Sequence, residues 1–226
     1  MLVTPSIALA GDNLAEFAIR WNPEDGGPQT PKEVVKLLNL PADDVDKDEY
    51  AVSYFSIVKP ADVPDGYSVI ARQRIKKNKS QLMIKYRGDQ PLPNTYNPKS
   101  WQCPLGSEAE AKYEVDVTLL ADQKTKKAFS LSCSLESKEN ISFPNSLNAK
   151  QTSSVSTMVR YSVKGIKIEE WTFKPGGEKM LEVSKPGVDN ETDVAAFTTK
   201  IAAKLLLSGI VPLDSSKSVT GTDGKK

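Results

Sequence analysis

Apolar and polar residues alternate with period two through nine segments of this chain, and that pattern constrains the fold more than any other feature of the sequence. The segments are 14–21, 50–58, 67–75, 81–88, 111–119, 128–135, 157–163, 167–173 and 180–184, and Pro, Gly, Asn or Asp bounds them. Short connections between so many strands predict an antiparallel sheet or barrel. Helix signals are few. Thr30 as N-cap, Pro31 in the first turn and Glu33 three residues after the cap open a helix through Val34, Val35, Leu37 and Leu38 that ends near Pro41. A second helix is expected over 191–208, capped by Asn190, with Val194, Phe197, Ile201 and Leu205 on one face and Gly209 as terminator. The fold class is therefore α+β and mostly antiparallel β. No linker divides the chain, so 1–212 is expected to be one domain followed by a flexible polar tail over 213–226.

Composition removes whole classes of chemistry. There is no histidine, which rules out His-based triads, His general bases and His metal ligands. Two cysteines, Cys103 and Cys133, are too few for a disulfide scaffold, a thiolate zinc site or an iron–sulfur cluster. Thirty Lys and Arg against 29 Asp and Glu leave a net charge of +1, so no global field recruits nucleic acid or an anionic membrane. No window approaches the roughly 20 apolar residues of a transmembrane helix. The opening 1–10 stretch is mildly apolar but lacks the basic start and long apolar run of a secretory signal. A cytoplasmic chain is expected.

Charge becomes informative when it is sorted by strand face, because residues two apart share a face. Glu16, Ala18 and Arg20 oppose Phe17, Ile19 and Trp21. Arg72 pairs with Arg74, and Lys85 with Arg87, on two strands that read as a hairpin. Lys112, Glu114, Asp116 and Thr118 oppose Tyr113, Val115, Val117 and Leu119. Arg160 opposes Val159 and Tyr161, and Glu182 with Ser184 opposes Leu181 and Val183. Two arrangements satisfy this pattern: charged faces in water over an apolar core, or charged faces converging inside a closed barrel around a polyanion. Alternation alone does not choose between them.

The order of the motifs adds a resemblance. EFAIR at 16–20, DGYSVIARQR at 65–74, LMIKYRG at 82–88, KYEVDV at 112–117, MVRYSV at 158–163, IEEWTF at 168–173 and MLEVS at 180–184 follow one another along the chain. This succession resembles the CYTH, or triphosphate tunnel metalloenzyme, superfamily over about 14–184. Its pattern is an opening E-x-E-x-K strand, then R-x-R, T-x-K and E-x-E strands, an Arg- or Lys-bearing strand and a closing E-x-E strand. The resemblance implies an eight-stranded tunnel-like antiparallel barrel with flanking helices. It places Arg20, Arg72, Arg74, Lys85, Arg87 and Arg160 on substrate phosphates, and Glu16, Asp116 and Glu182 on a Mg²⁺ or Mn²⁺ ion. Glu114 also stands where a family metal-binding acid stands, Glu169 or Glu170 matches a further family acid, and with no histidine in the chain Glu114 and Glu182 are the expected catalytic, water-positioning carboxylates. Ala18 replaces the second acid of the opening motif, Arg20 its Lys, and Ser184 the second acid of the closing motif.

The expected function is binding of an inorganic or organic triphosphate, with metal-dependent hydrolysis as the associated activity. Two alternatives accompany it: a binding module of the same fold that has lost turnover, and a β-rich assembly subunit with solvated polar faces. The expected partner is a small phosphorylated ligand, with neither nucleic acid nor membrane.

Overall fold

The computed structural model describes residues 14–93 and 101–214. All nine alternating segments form strands, extended by one to four residues at several ends: β1 (Leu14–Trp21), β2 (Asp46–Ser56), β3 (Ser68–Lys76), β4 (Lys79–Gly88), β5 (Glu110–Leu119), β6 (Thr125–Ser137), β8 (Ser156–Val163), β9 (Ile166–Thr172) and β10 (Lys179–Val188). A two-residue β7 (Lys150–Gln151) is added at the edge of β2. The order is β3-β4-β6-β5-β1-β10-β9-β8-β2, and β2 pairs with β3 to close the ring. The expected antiparallel barrel is present, with nine strands in the ring rather than eight. One pairing departs from antiparallel: β1 runs parallel to β5, with Glu16 beside Asp116 and Ala18 beside Thr118.

What covers the outside decides which strand face turns inward. Phe17, Ile19 and Trp21 of β1, Val115, Val117 and Leu119 of β5, and Leu181 and Val183 of β10 pack outward against Val34 and Val35 and against Phe197, Ile201 and Leu205. These two sets lie on α1 (Pro31–Leu37) and on a helical run made of α2 (Glu191–Phe197), a π-helical turn (Thr198–Ala202) and α3 (Ala203–Leu207). Burying side chains of this size stabilises the fold by about 1.5–3 kcal/mol each. The caps read from the sequence are formed. Thr30 Oγ1 accepts from Glu33 N at 3.3 Å, Glu33 Oε2 accepts from Gln29 N at 2.7 Å, and Asn190 Oδ1 accepts from Asp193 N at 2.8 Å. Gly187 lets the helical run dock closely, since a Cβ there would meet the Phe17 ring and Asp193 Oδ2 at 2.8 Å.

On the opposite side the outward faces of β4 and β6 (Leu82, Ile84, Tyr86, Leu131) are covered by connecting segments through Val63, Tyr67, Leu105, Phe143 and Leu147. Trp101 anchors one of these segments: its Nε1 donates to Asp62 at 2.8 Å and its ring meets Tyr86 edge-on at 5.1 Å. Cys103 and Cys133 form a disulfide that clips the same segment to β6. Two cysteines are few, yet they pair, because the loop before β5 returns over the β6 face. Such bonds are characteristic of oxidising compartments. Among the described residues no helix is long and apolar enough to cross a membrane.

With apolar faces outward under helices and loops, the polar faces are left to line the interior. Part of that interior is filled: Val52, Tyr54, Met158, Trp171, Phe173 and Met180 form a separate apolar cluster on the inner faces of β2, β8, β9 and β10. The remainder is a cavity.

Candidate functional site

The cavity has a volume of about 630 Å³ and is walled by eight cationic and five acidic side chains. Arg20, Arg72, Arg74, Lys85, Arg87 and Arg160, which the sequence places on polar strand faces, all reach it. A smaller space of about 190 Å³ shares Arg74, Gln81 and Arg160 with it and continues toward Lys76 and Lys79 in the β3–β4 hairpin. The polar faces therefore converge, and a solvated exterior for them is excluded.

Charge inside the cavity is not uniform. On the β3 wall the cations are poorly compensated. Arg72 and Arg74 each bury an Nε that has no hydrogen-bond partner. Arg72 offers Nη2 only to Met83 Sδ, a weak acceptor, at 3.2 Å. The Arg74 guanidinium lies 5.9 Å from the Tyr50 ring centre and 5.8 Å from that of Trp171, and Arg160 lies 5.3 Å from Tyr50. Burial, reinforced by Arg72 and Arg160 and opposed by Glu169, pulls Arg74 down to about 9, still charged at neutral pH. Arg160 is better satisfied. Its Nε and Nη2 donate to Glu169 Oε1 at 2.9 and 2.6 Å, and that carboxylate outweighs burial to hold the guanidinium above its ordinary value.

On the β1 and β5 walls Glu16, Glu114 and Asp116 are each engaged by a cation. Lys85 Nζ lies 3.2 Å from Glu114 and 3.5 Å from Asp116, and Lys112 also pairs with Glu114. Arg87 lies 3.5 Å from Asp116, which accepts in addition from Ser130 Oγ at 3.0 Å. Burial would raise the Asp116 carboxyl, but Lys85 and Arg87 prevail and hold it below its usual range. Glu16 Oε1 accepts from Lys167 Nζ at 3.1 Å and from Ser184 Oγ at 3.2 Å.

One expected site acid is committed elsewhere. Glu182 is 1% exposed and does not reach the cavity surface; it pairs with Arg20 Nε, while Arg20 Nη1 donates to Thr118 Oγ1 at 3.0 Å. Burial opposes the charge on Arg20, and Glu182 more than restores it, holding the guanidinium above its ordinary value. This buried pair ties β1 to β10 directly across their register.

The donor set does not fit the divalent ion that the resemblance implies. Among the described residues no three Asp, Glu or Cys side chains stand where they could hold a metal. Mg²⁺ keeps several waters and is usually held by one or two carboxylates together with substrate phosphates, so it needs carboxylate oxygens that are not already committed to cations. Here Glu16, Glu114 and Asp116 already accept from ammonium or guanidinium groups, Glu182 is sequestered, and Ala18 and Ser184 face each other in the β1–β10 register.

Sequence reasoning left out Lys167, whose place on the polar face of β9 puts it beside Glu16, and Tyr50, around which three cations gather. The further acid resolves as Glu169, which faces inward and accepts from Trp171 Nε1 at 2.9 Å.

No family model matches this sequence, and none of the curated proteins matches it. Among solved structures it is similar to a candidate adenylyl cyclase from Hippeastrum with a dominant triphosphatase activity, at a TM-score of 0.53 and 11% identity over 95% of this chain and 97% of that one. It is also similar to the PH1012 protein of Pyrococcus horikoshii, with a TM-score of 0.47 and 13% identity over 91% of this chain and 98% of that one. A candidate adenylate cyclase from Bacillus halodurans gives 0.46 and 13% over 91% and 95%. The likeness to the Hippeastrum protein is one of fold.

Proposed function

We propose that this chain is a divergent member of the triphosphate tunnel superfamily whose barrel binds an inorganic or organic triphosphate and holds it with slow or absent hydrolysis. One observation carries the reading: Arg72 and Arg74 sit on one face of β3, line the cavity, and bury unpartnered Nε donors. Desolvated like charges are costly, and a bound polyanion relieves both the missing hydrogen bonds and the repulsion. Guanidinium forks suit phosphate oxygens, and consecutive phosphates match cations spread along β3, β4 and β8. Arg160, Lys85 and Arg87 extend the cage across the cavity.

The acids favour holding over turnover. A water-positioning base needs a carboxylate oxygen free to accept from the water it aims. Glu114 accepts from Lys85 and Lys112, and Glu182 is locked to Arg20 outside the cavity.

Thermal melts with tripolyphosphate, ATP, pyrophosphate and sulfate, in chelator, test the proposal. A ligand at 100 times its Kd stabilises by about 2.7 kcal/mol. For a domain of this size that raises Tm by roughly 5–10 °C. Shifts should fall from tripolyphosphate to pyrophosphate to sulfate. Absence of any phosphate-dependent shift would overturn the proposal.

A further inference from the structure

Resting on the reading of the tunnel as a triphosphate site, we infer that it takes its ligand free of metal, with Lys167, Lys85 and Lys112 standing between phosphates and acids where a divalent ion would otherwise stand. The register carries the argument. Ala18 of β1 opposes Ser184 of β10, and Ser184 opposes Lys167 of β9, so one row across three strands presents a methyl, a hydroxyl and an ammonium. The last two converge on Glu16 Oε1, at 3.2 and 3.1 Å. On the neighbouring strand β5, Lys85 bridges Glu114 and Asp116, and Lys112 takes the second oxygen of Glu114.

An incoming divalent ion would have to displace an ammonium group from each acid and then share the cavity with it. The displaced like charges would repel one another in a partly desolvated space. An uncomplexed triphosphate meets the opposite situation. Each lysine keeps its carboxylate and turns a remaining N–H toward a phosphate oxygen, since an ammonium carries three donors and a carboxylate accepts only one or two of them. Ligand complexed by Mg²⁺ arrives with part of its charge neutralised and with phosphate oxygens occupied, so Mg²⁺ competes with the protein for it.

Calorimetric titration of tripolyphosphate into the protein tests this, in EDTA and in excess Mg²⁺. The wild type should bind in EDTA, with affinity about tenfold weaker in Mg²⁺, the size of one lost charge-assisted contact. Lys167→Ala should lose about tenfold in EDTA and recover part of it on adding Mg²⁺, because the ammonium group that repels the ion beside Glu16 is then gone. Wild-type binding that requires Mg²⁺ would overturn the inference, as would a folded Lys167→Ala that behaves like wild type in both buffers. Should that variant fail to fold, Lys167→Met, which keeps the aliphatic stem, serves in its place. No binding in either buffer refutes the triphosphate reading itself rather than the metal-free form of the ligand.

Discussion

Replacing Arg74 with methionine should raise the stability of the ligand-free protein while weakening its ligand binding. Burial and the neighbouring Arg72 and Arg160 lower the Arg74 guanidinium to about 9. At about 1.4 kcal/mol per pKa unit, that drop bounds the cost of keeping the charge at roughly 4–5 kcal/mol. Water in the adjoining cavity reduces it. Methionine gives up the approaches to Tyr50 and Trp171, worth about 0.5–1 kcal/mol each. It keeps most of the aliphatic packing and removes the unpartnered Nε. The net gain should be roughly 1–3 kcal/mol, as found when buried charges give way to apolar groups of similar volume. At 2–4 °C per kcal/mol the variant should melt about 5 °C above wild type. Melts in phosphate-free buffer, without and with tripolyphosphate, read both effects. A variant that melts below wild type yet keeps the whole ligand-induced shift would refute this account of Arg74.

Restoring the family acids by Ala18→Glu together with Ser184→Glu should create divalent-ion binding measurable by calorimetry and raise phosphate release. A folded double variant that binds metal no better than wild type would show that the two positions do not govern it. Asp116 has a folded-state pKa below its unfolded value, so its contribution is complete above about pH 4 and is lost as pH falls through the folded value. Urea melts between pH 6 and pH 3 should therefore fall less steeply for Asp116→Asn than for wild type. The disulfide closes a separation of 30 residues, and removing it by Cys103→Ser with Cys133→Ser should cost about 3–4 kcal/mol, seen as a lower urea midpoint with a steeper slope, because the unfolded chain is no longer cross-linked.

Local features of the fold were legible because a two-residue period is itself local. Arg72 and Arg74, or Lys85 and Arg87, share a face whatever surrounds them, and the caps at Thr30 and Asn190 need only residues three positions away. Which face turns inward was not legible, since that depends on α1 and the C-terminal helical run covering the opposite one. The choice between Glu169 and Glu170 is a one-residue register question, and such a slip exchanges the two faces. Glu182 looked like a site acid because its partner, Arg20, lies 162 residues away in the chain. Lys167 went unremarked for the same reason, 151 residues from Glu16. The parallel β1–β5 pairing and the disulfide likewise join segments that carry no mark of each other in the sequence.

The most direct test of the central claim is calorimetric titration of tripolyphosphate into wild type and into the Arg72→Ala, Arg74→Ala double variant, in chelator, at low and physiological salt. Wild type should bind at a single site, less tightly as salt rises, and the folded double variant should lose about a hundredfold or more, as expected for two charged donors. Equal affinity in the two proteins would contradict the claim, because the unpartnered guanidinium pair at the heart of the tunnel would then hold nothing.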